Sequence, residues 1–469
     1  MPMKAHLTLL AASLLLAACS TPLSPPDSGI QSPSTWQHLE TPAAEADNRQ
    51  WWTQFGSPQL NRLIEQARLD SHDLAAAMAR VRQAQANAVI AGAPLLPELK
   101  AGLNGTRQEL LRGKGYSQLD VDRDNRSLDY YDANLSATYE LDFWGGKRAA
   151  RDSALGTLAA SRFDRATVEL TLLSGVANSY TQALSLGEQR RIAELNLANA
   201  QSVLDLVQTR YDAGSATAVE LSQQKGLVAA QQRRLPQVQQ QAREALITLA
   251  TLLGQPVQAV RLDAEDFERL HWPSIDAGVP SDLLRRRPDI AAAEARLSAA
   301  EADIRVARAA MLPSMTLGLS LASGADIADQ VLRNNVYNLT AGLAAPVFNN
   351  GRLKAERDKA TARQEELLQT YRAAIINGFA DVEKALNGIN GLERQRQWQA
   401  EELQQAQSAF DIAQRRYQAG AEDLLTVLET QRTLYAAQDM NVQLRLARVQ
   451  ASVALYKALG GGWGVGGGG

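Results

Sequence analysis

The chain has 469 residues, 48 Lys and Arg against 51 Asp and Glu, and a formal net charge of −3. That balance leaves no basic footprint for nucleic acid, and the four histidines, at positions 6, 38, 72 and 271, have no metal-ligand spacing between them. Aromatics are only 5% of residues, while alanine, glutamine, arginine and leucine abound, a composition that favours helix.

The N-terminus reads as a targeting segment over residues 1–18. Lys4 supplies a positive start, Leu7 to Leu16 a short apolar run, and Leu16-Ala17-Ala18 small residues before Cys19. The run is too short for a membrane-spanning helix. It resembles a bacterial lipoprotein signal, which implies cleavage before Cys19 and its acylation. Ser20, in place of an aspartate, implies sorting to the outer membrane. Cys19 is also the sole cysteine, placed where that chemistry needs its thiol. Residues 19–50 follow as an extended linker without a core of its own, with prolines at 22, 25, 26, 33 and 42.

Structure is expected from Trp51-Trp52 and Phe55. A helical pattern opens at Pro58, breaks near Ser71, runs to about Gly92 and is ended by Pro94 and Pro97. The period then changes to two. Ala133, Leu135, Ala137, Tyr139 and Leu141 alternate with Asn134, Ser136, Thr138 and Glu140, and Leu99, Ala101 and Leu103 start a weaker partner. Strands are expected at about 98–111 and 130–143, with a polar loop over roughly 112–129 between them. A helical hairpin follows over 147–253. Its turn is Arg210-Tyr211-Asp212-Ala213-Gly214, and Pro236 is expected to kink or interrupt its return limb. An irregular linker runs over 257–280, and Arg287-Pro288-Asp289 opens a helix with proline in its first turn.

The second half repeats this plan. Strands are expected at about 314–323 and 337–346, a hairpin over 352–459 turning at Arg416-Tyr417-Gln418-Ala419-Gly420, and a glycine-rich disordered tail over 460–469. The two turns lie 206 positions apart (416 − 210). Upstream of them Leu197, Ala200, Leu204, Val207 and Tyr211, and then Leu403, Ala406, Phe410, Ala413 and Tyr417, step 3-4-3-4 in the manner of a coiled-coil seam. Gly214 and Gly420 supply the positive φ that ends a helix. The chain is thus two repeats, 51–260 and 261–459. Four strands of about ten residues cannot close a barrel. Either they form a small sheet in a soluble protein or several chains pool them, and three chains give twelve strands and twelve helical limbs.

Several motifs, in order, carry a resemblance: Trp51-Trp52 with Phe55 and Pro58; Leu95-Leu96-Pro97; Leu141-Asp142-Phe143-Trp144-Gly145; Arg286-Arg287-Pro288-Asp289-Ile290; both Arg-Tyr-x-Ala-Gly turns; and the ending Leu455-Tyr456-Lys457-Ala458-Leu459-Gly460-Gly461-Gly462-Trp463. The chain resembles the outer-membrane efflux lipoproteins of the TolC/OprM (NodT-type) family, the exit ducts of resistance-nodulation-division pumps. The resemblance implies a mainly helical, TolC-like homotrimer whose outer-membrane β-barrel, four strands per chain, continues into a long periplasmic α-barrel. It implies docking to a periplasmic adaptor and an inner-membrane transporter, a multidrug or other small-molecule cargo, and no catalysis or cofactor. The matching tip and adaptor-contact positions are Arg210, Tyr211, Gly214, Arg416, Tyr417 and Gly420. The matching periplasmic gate positions are Leu425, Glu429 and Thr426, the last standing where TolC has an aspartate. Where TolC has an arginine two residues past the second glycine, this chain has Glu422. Glu429 has Gln223 as its counterpart 206 positions earlier. The alternative expectation is a lipid-anchored periplasmic coiled-coil adaptor or scaffold. Gly113-Lys114-Gly115 lacks the spacing of a phosphate loop, so nothing points to an enzyme.

Overall fold

Period-two patterning resolves into four antiparallel strands, β1 (Glu98–Glu109), β2 (Ser127–Leu141), β3 (Ser314–Ala325) and β4 (Asn335–Ala344), hydrogen-bonded in the order β1-β2-β3-β4. The computed structural model describes residues 27–39, 48–109, 111–112, 127–263, 266–273 and 275–461. Cys19, residues 113–126 of the expected loop and the tail beyond residue 461 lie outside them. Register explains why the strands share one sheet. Leu99 pairs with Ala137, Ala137 with Leu319 and Leu319 with Leu339; one rung on, Leu135, Leu321 and Tyr337 line up. These apolar residues from all four strands therefore share one face, and Ser136, Ser320 and Asn338 lie on the other. Within the chain β1 and β4 are edges, and every residue of β4 is exposed.

The helices are α1 (Pro58–Asp70), α2 (His72–Gly92), α3 (Gly146–Asp212), α4 (Ala218–Leu252), α5 (Pro280–Arg286), α6 (Pro288–Ala309), α7 (Arg352–Gln418) and α8 (Leu424–Ala458). At 67 residues each, α3 and α7 are about 100 Å long. α4 runs through Pro236 without interruption. Pro236 and Gln232, whose carbonyl loses its i+4 donor, are both exposed, so water satisfies the freed oxygen. The short helix α5 has no counterpart in the sequence reading, which took proline for its opening only at 288.

Contacts gather the described residues into two compact units, each drawing on both halves of the chain. One, with Arg82–Ala160 and Ala293–Tyr371, holds the sheet. There the Asp142 carboxylate accepts from the backbone of Lys147 (2.9 Å) and Arg148 (3.0 Å), capping α3, and Trp144 Nε1 donates to the Pro313 carbonyl at 2.7 Å. The other holds Ile30–Val81, Ser161–Ala292 and the chain from Arg372 on. Its aromatic centre joins the two ends of the sequence: Trp51, fully buried, stacks on Tyr456 at 5.3 Å, and the Tyr456 hydroxyl donates to Gln54 at 2.8 Å. Arg287, 11% exposed, reaches Asp289 (2.7 Å), Asp381 (2.9 Å) and the Ala458 carbonyl (3.3 Å).

The expected tail and linker both have described residues in this unit. Gly460 and Gly461 belong to the ordered chain, with φ of +90° and +57°, because Gly460 and Gly461 N–H close the end of α8 on Lys457 and Tyr456. The N-terminal linker has no helix or strand over residues 27–39, but it is anchored, since Trp36 is 5% exposed and packs on Phe379 at 6.2 Å.

Candidate functional site

Both tip turns, the return helices α4 and α8, and the parts of α3 and α7 beyond residues 160 and 371 belong to the second unit. Gly214 (φ +74°) donates to Tyr211 O and Ser215 to Arg210 O, and Gly420 (φ +77°) donates to Tyr417 O and Ala421 to Arg416 O, so the two helix ends close identically. Each return helix then starts on a side-chain cap. Thr217 Oγ1 accepts from Glu220 N at 3.2 Å while the Glu220 carboxylate accepts from Thr217 N at 2.6 Å. Asp423 accepts from Thr426 N at 2.8 Å and from Thr426 Oγ1 at 2.9 Å, and these bonds hold its carboxyl below the usual carboxylate range.

Side chains distinguish the two copies where the backbone does not. The second copy follows the expected seam: Ala406, Phe410, Ala413 and Tyr417 are all buried. In the first copy the buried stripe is shifted by one residue. Asn196, Ala200, Val203 and Val207 are buried, Leu197 and Leu204 are half-buried, and Tyr211 is 41% exposed. Arg210 takes the place expected for Tyr211. Its guanidinium lies 4.3 Å from the centre of the Tyr417 ring, and Nη2 donates to the Tyr417 carbonyl at 2.6 Å and more weakly to that of Gln418 at 3.5 Å. A cation thus occupies the negative end of α7 and covers the Tyr417 ring, whose hydroxyl burial pushes above the usual phenol range. Arg416 instead turns back on its own turn, pairing with Glu422 at 3.1 Å and donating to Ala421 O.

α8 is buried along Leu424, Val427, Leu428, Gln431, Leu434 and Tyr435, packed with Val203, Val207, Leu221, Leu227 and Phe410. Leu425 (53% exposed) and Glu429 therefore share its open face, four residues apart. Thr426, half-buried and three residues before Glu429, has its hydroxyl held by Asp423 and, at 3.3 Å, by Glu422. The buried set Leu221, Gln224, Leu227 and Val228 recurs as Leu428, Gln431, Leu434 and Tyr435, an offset of 207. The caps and helix bounds keep the offset of 206, so Gln223 holds the helix position of Glu429, while the buried face is turned by one residue and places Ser222 at the matching angle; both are uncharged and exposed.

A polar layer inside the seam escaped sequence reasoning. Gln224 Nε2 donates to Ala200 O at 2.7 Å, Gln431 Nε2 to the Tyr435 hydroxyl at 2.7 Å, and Tyr435 in turn to Asn196 O at 2.8 Å. Glutamine at a seam position was the available signal, and the apolar heptad count passed over it. No helix among the described residues is long and apolar enough to cross a membrane, and no described cluster has metal-binding composition.

The family model described as outer membrane efflux protein matches residues 63–255 and 279–461. A pyoverdine export outer membrane protein, OpmQ of Pseudomonas aeruginosa, is 62% identical over 98% of this chain and 97% of its own length. The cation efflux system protein CusC of Escherichia coli is 32% identical over 89% of this chain and 90% of its own. The solved structure of the outer-membrane channel OprN superposes with a TM-score of 0.87 at 26% identity, covering 94% of this chain and 98% of that one.

Proposed function

The chain belongs to the outer membrane efflux protein family, and from that premise we propose that it is the exit duct for a siderophore of the pyoverdine type. As a member it is the outer-membrane channel of an efflux pump and not an enzyme, which sets aside the adaptor or scaffold alternative. The carrying observation is the full-length similarity to a pyoverdine exporter, at twice the identity shared with the cation exporter.

The working unit is a homotrimer. One apolar sheet face and two unpaired edges, β1 and β4, support this, because unpaired backbone in lipid costs several kcal/mol per group and three copies supply a closed twelve-stranded wall. Palmitate or another acyl chain on Cys19 anchors each copy in the outer membrane. The Arg210, Tyr211, Gly214 and Arg416, Tyr417, Gly420 turns receive the periplasmic adaptor, which couples the duct to an inner-membrane proton-driven transporter of the resistance-nodulation-division class. Leu425, Thr426 and Glu429 form the gate, Thr426 also bonding to the cap that starts α8. Exposure of Leu425 and Glu429 on one face of α8 supports that assignment.

The test is secretion. Deleting the gene in its native host is expected to hold pyoverdine-type siderophore inside the cell, and restoring it to return secretion to the wild-type level. Normal siderophore secretion alongside raised drug sensitivity would replace this cargo with a multidrug one.

A further inference from the structure

The middle of α7 combines two features that the channel's fold does not require of one another. Gly388 has open space where a side chain would stand, and Gly391 only the end of the Gln395 side chain, at 3.9 Å. No packing partner in the chain compensates for their low helix propensity, so this stretch, Gly388-Ile389-Asn390-Gly391, is the weak part of a 67-residue rod. The N-terminal segment lies across it. Glu383, five residues before Gly388, accepts from Gln37 N (2.7 Å) and His38 N (3.2 Å) and pairs with His38 Nδ1 (2.7 Å). Asn390, on the far side of Gly388, donates to the His38 carbonyl at 2.8 Å. Trp36 locks the segment one turn earlier, its ring against Phe379 and its Nε1 donating to Gly278 O at 2.9 Å.

We propose that residues 36–38 are a strap that splints α7 across Gly388 and so controls how freely the second tip turn moves. The strap bonds to α7 on both sides of Gly388, at Glu383 and Asn390, so a bend at Gly388 must break one set of bonds. The leverage is large. From Gly388 to Tyr417 the helix extends about 44 Å, and a bend of about 5° moves the tip by about 4 Å. Every element involved lies in the second unit. The proposal rests on the tip as gate only for its conductance readout, and amide exchange tests the splint by itself.

The experiment uses the full-length protein in detergent and in planar bilayers. Glu383→Gln keeps the side-chain shape while weakening its grip, and hydrogen exchange at residues 36–38 reports whether the strap has lifted. A lifted strap is expected to raise exchange across 388–391 at least fivefold and spontaneous openings severalfold. Adding Gly388→Ala and Gly391→Ala should return both to wild type. A lifted strap with unchanged exchange at 388–391 would overturn the splint. Faster exchange with unchanged openings would overturn its control of the tip. Should Glu383→Gln not assemble, the two alanines alone decide: slower exchange and rarer openings are expected, and unchanged values refute the proposal.

Discussion

Replacing Arg210 with alanine breaks a tie between the two tip turns. Its Nη2 donates to the Tyr417 carbonyl at 2.6 Å, and the guanidinium covers the Tyr417 ring at 4.3 Å. A hydrogen bond from a charged donor is worth about 1.5–3 kcal/mol, and a surface cation–π contact about 0.5–1 kcal/mol. Arg210 is half-buried, so solvent screens both and the lower ends apply, giving about 2 kcal/mol in all. If opening parts the two turns, that energy sets the resting equilibrium, and its loss favours opening about 30-fold per subunit. Arg210→Lys keeps the charge but not the planar stack, and should fall between alanine and wild type. Single-channel open probability in planar bilayers reads the effect, with Tm in detergent measured alongside. A lowered Tm with open probability within about threefold of wild type would refute the argument, because the tie would then persist in both states.

Other perturbations bear on other parts of the account. Cys19→Ser is expected to abolish acyl labelling without preventing barrel insertion, and unchanged labelling would exclude Cys19 as the anchor. In that background Ser215→Cys, at the first tip turn, should give cross-linked species of up to three chains with a homobifunctional reagent, and a stable monomer with native helix content would contradict the trimer. Burial pushes the Asp289 carboxyl up, but bonding to Arg287 outweighs this and holds it below its ordinary value. Its contribution is therefore present at neutral pH and lost as pH falls through that lowered value. Asp289→Asn should cost roughly 3 kcal/mol at pH 7, since Arg287 stays buried with one carboxylate fewer. The difference from wild type should shrink on acidification, and a pH-independent loss would show that the carboxylate charge is not the cause.

Much of this fold was legible because it rests on local periodicity. Leu135, Ala137 and Tyr139 alternate with polar residues, and the sheet they form has that same apolar face. Gly214 and Gly420 end helices because the closing turn needs positive φ. What escaped depends on partners distant in sequence. Tyr211 and Tyr417 occupy the same place in two matching motifs, yet Tyr211 is exposed and Tyr417 buried, since Arg210 reaches a carbonyl 207 residues away (417 − 210). The anchoring of Trp36 and His38 likewise depends on Phe379, Glu383 and Asn390, which no local pattern connects to a proline-rich linker. Leu425 and Glu429 lay between these cases. Their shared face follows from spacing alone, while the bonds of Thr426 to the Asp423 cap depend on a helix start that the resemblance to an aspartate position did not show.

The central claim is that the α8 face bearing Glu429 lines the constriction of the duct. Three symmetry-related carboxylates there would make the channel prefer cations. The direct measurement is the reversal potential of the reconstituted trimer under a KCl gradient for wild type, Glu429→Gln and Leu425→Ala. Glu429→Gln is expected to move the reversal potential toward zero. Leu425→Ala should keep the wild-type reversal potential while raising conductance, because it widens an apolar ring and leaves the charges in place. Identical reversal potentials for wild type and Glu429→Gln would take Glu429 out of the pore and contradict the account.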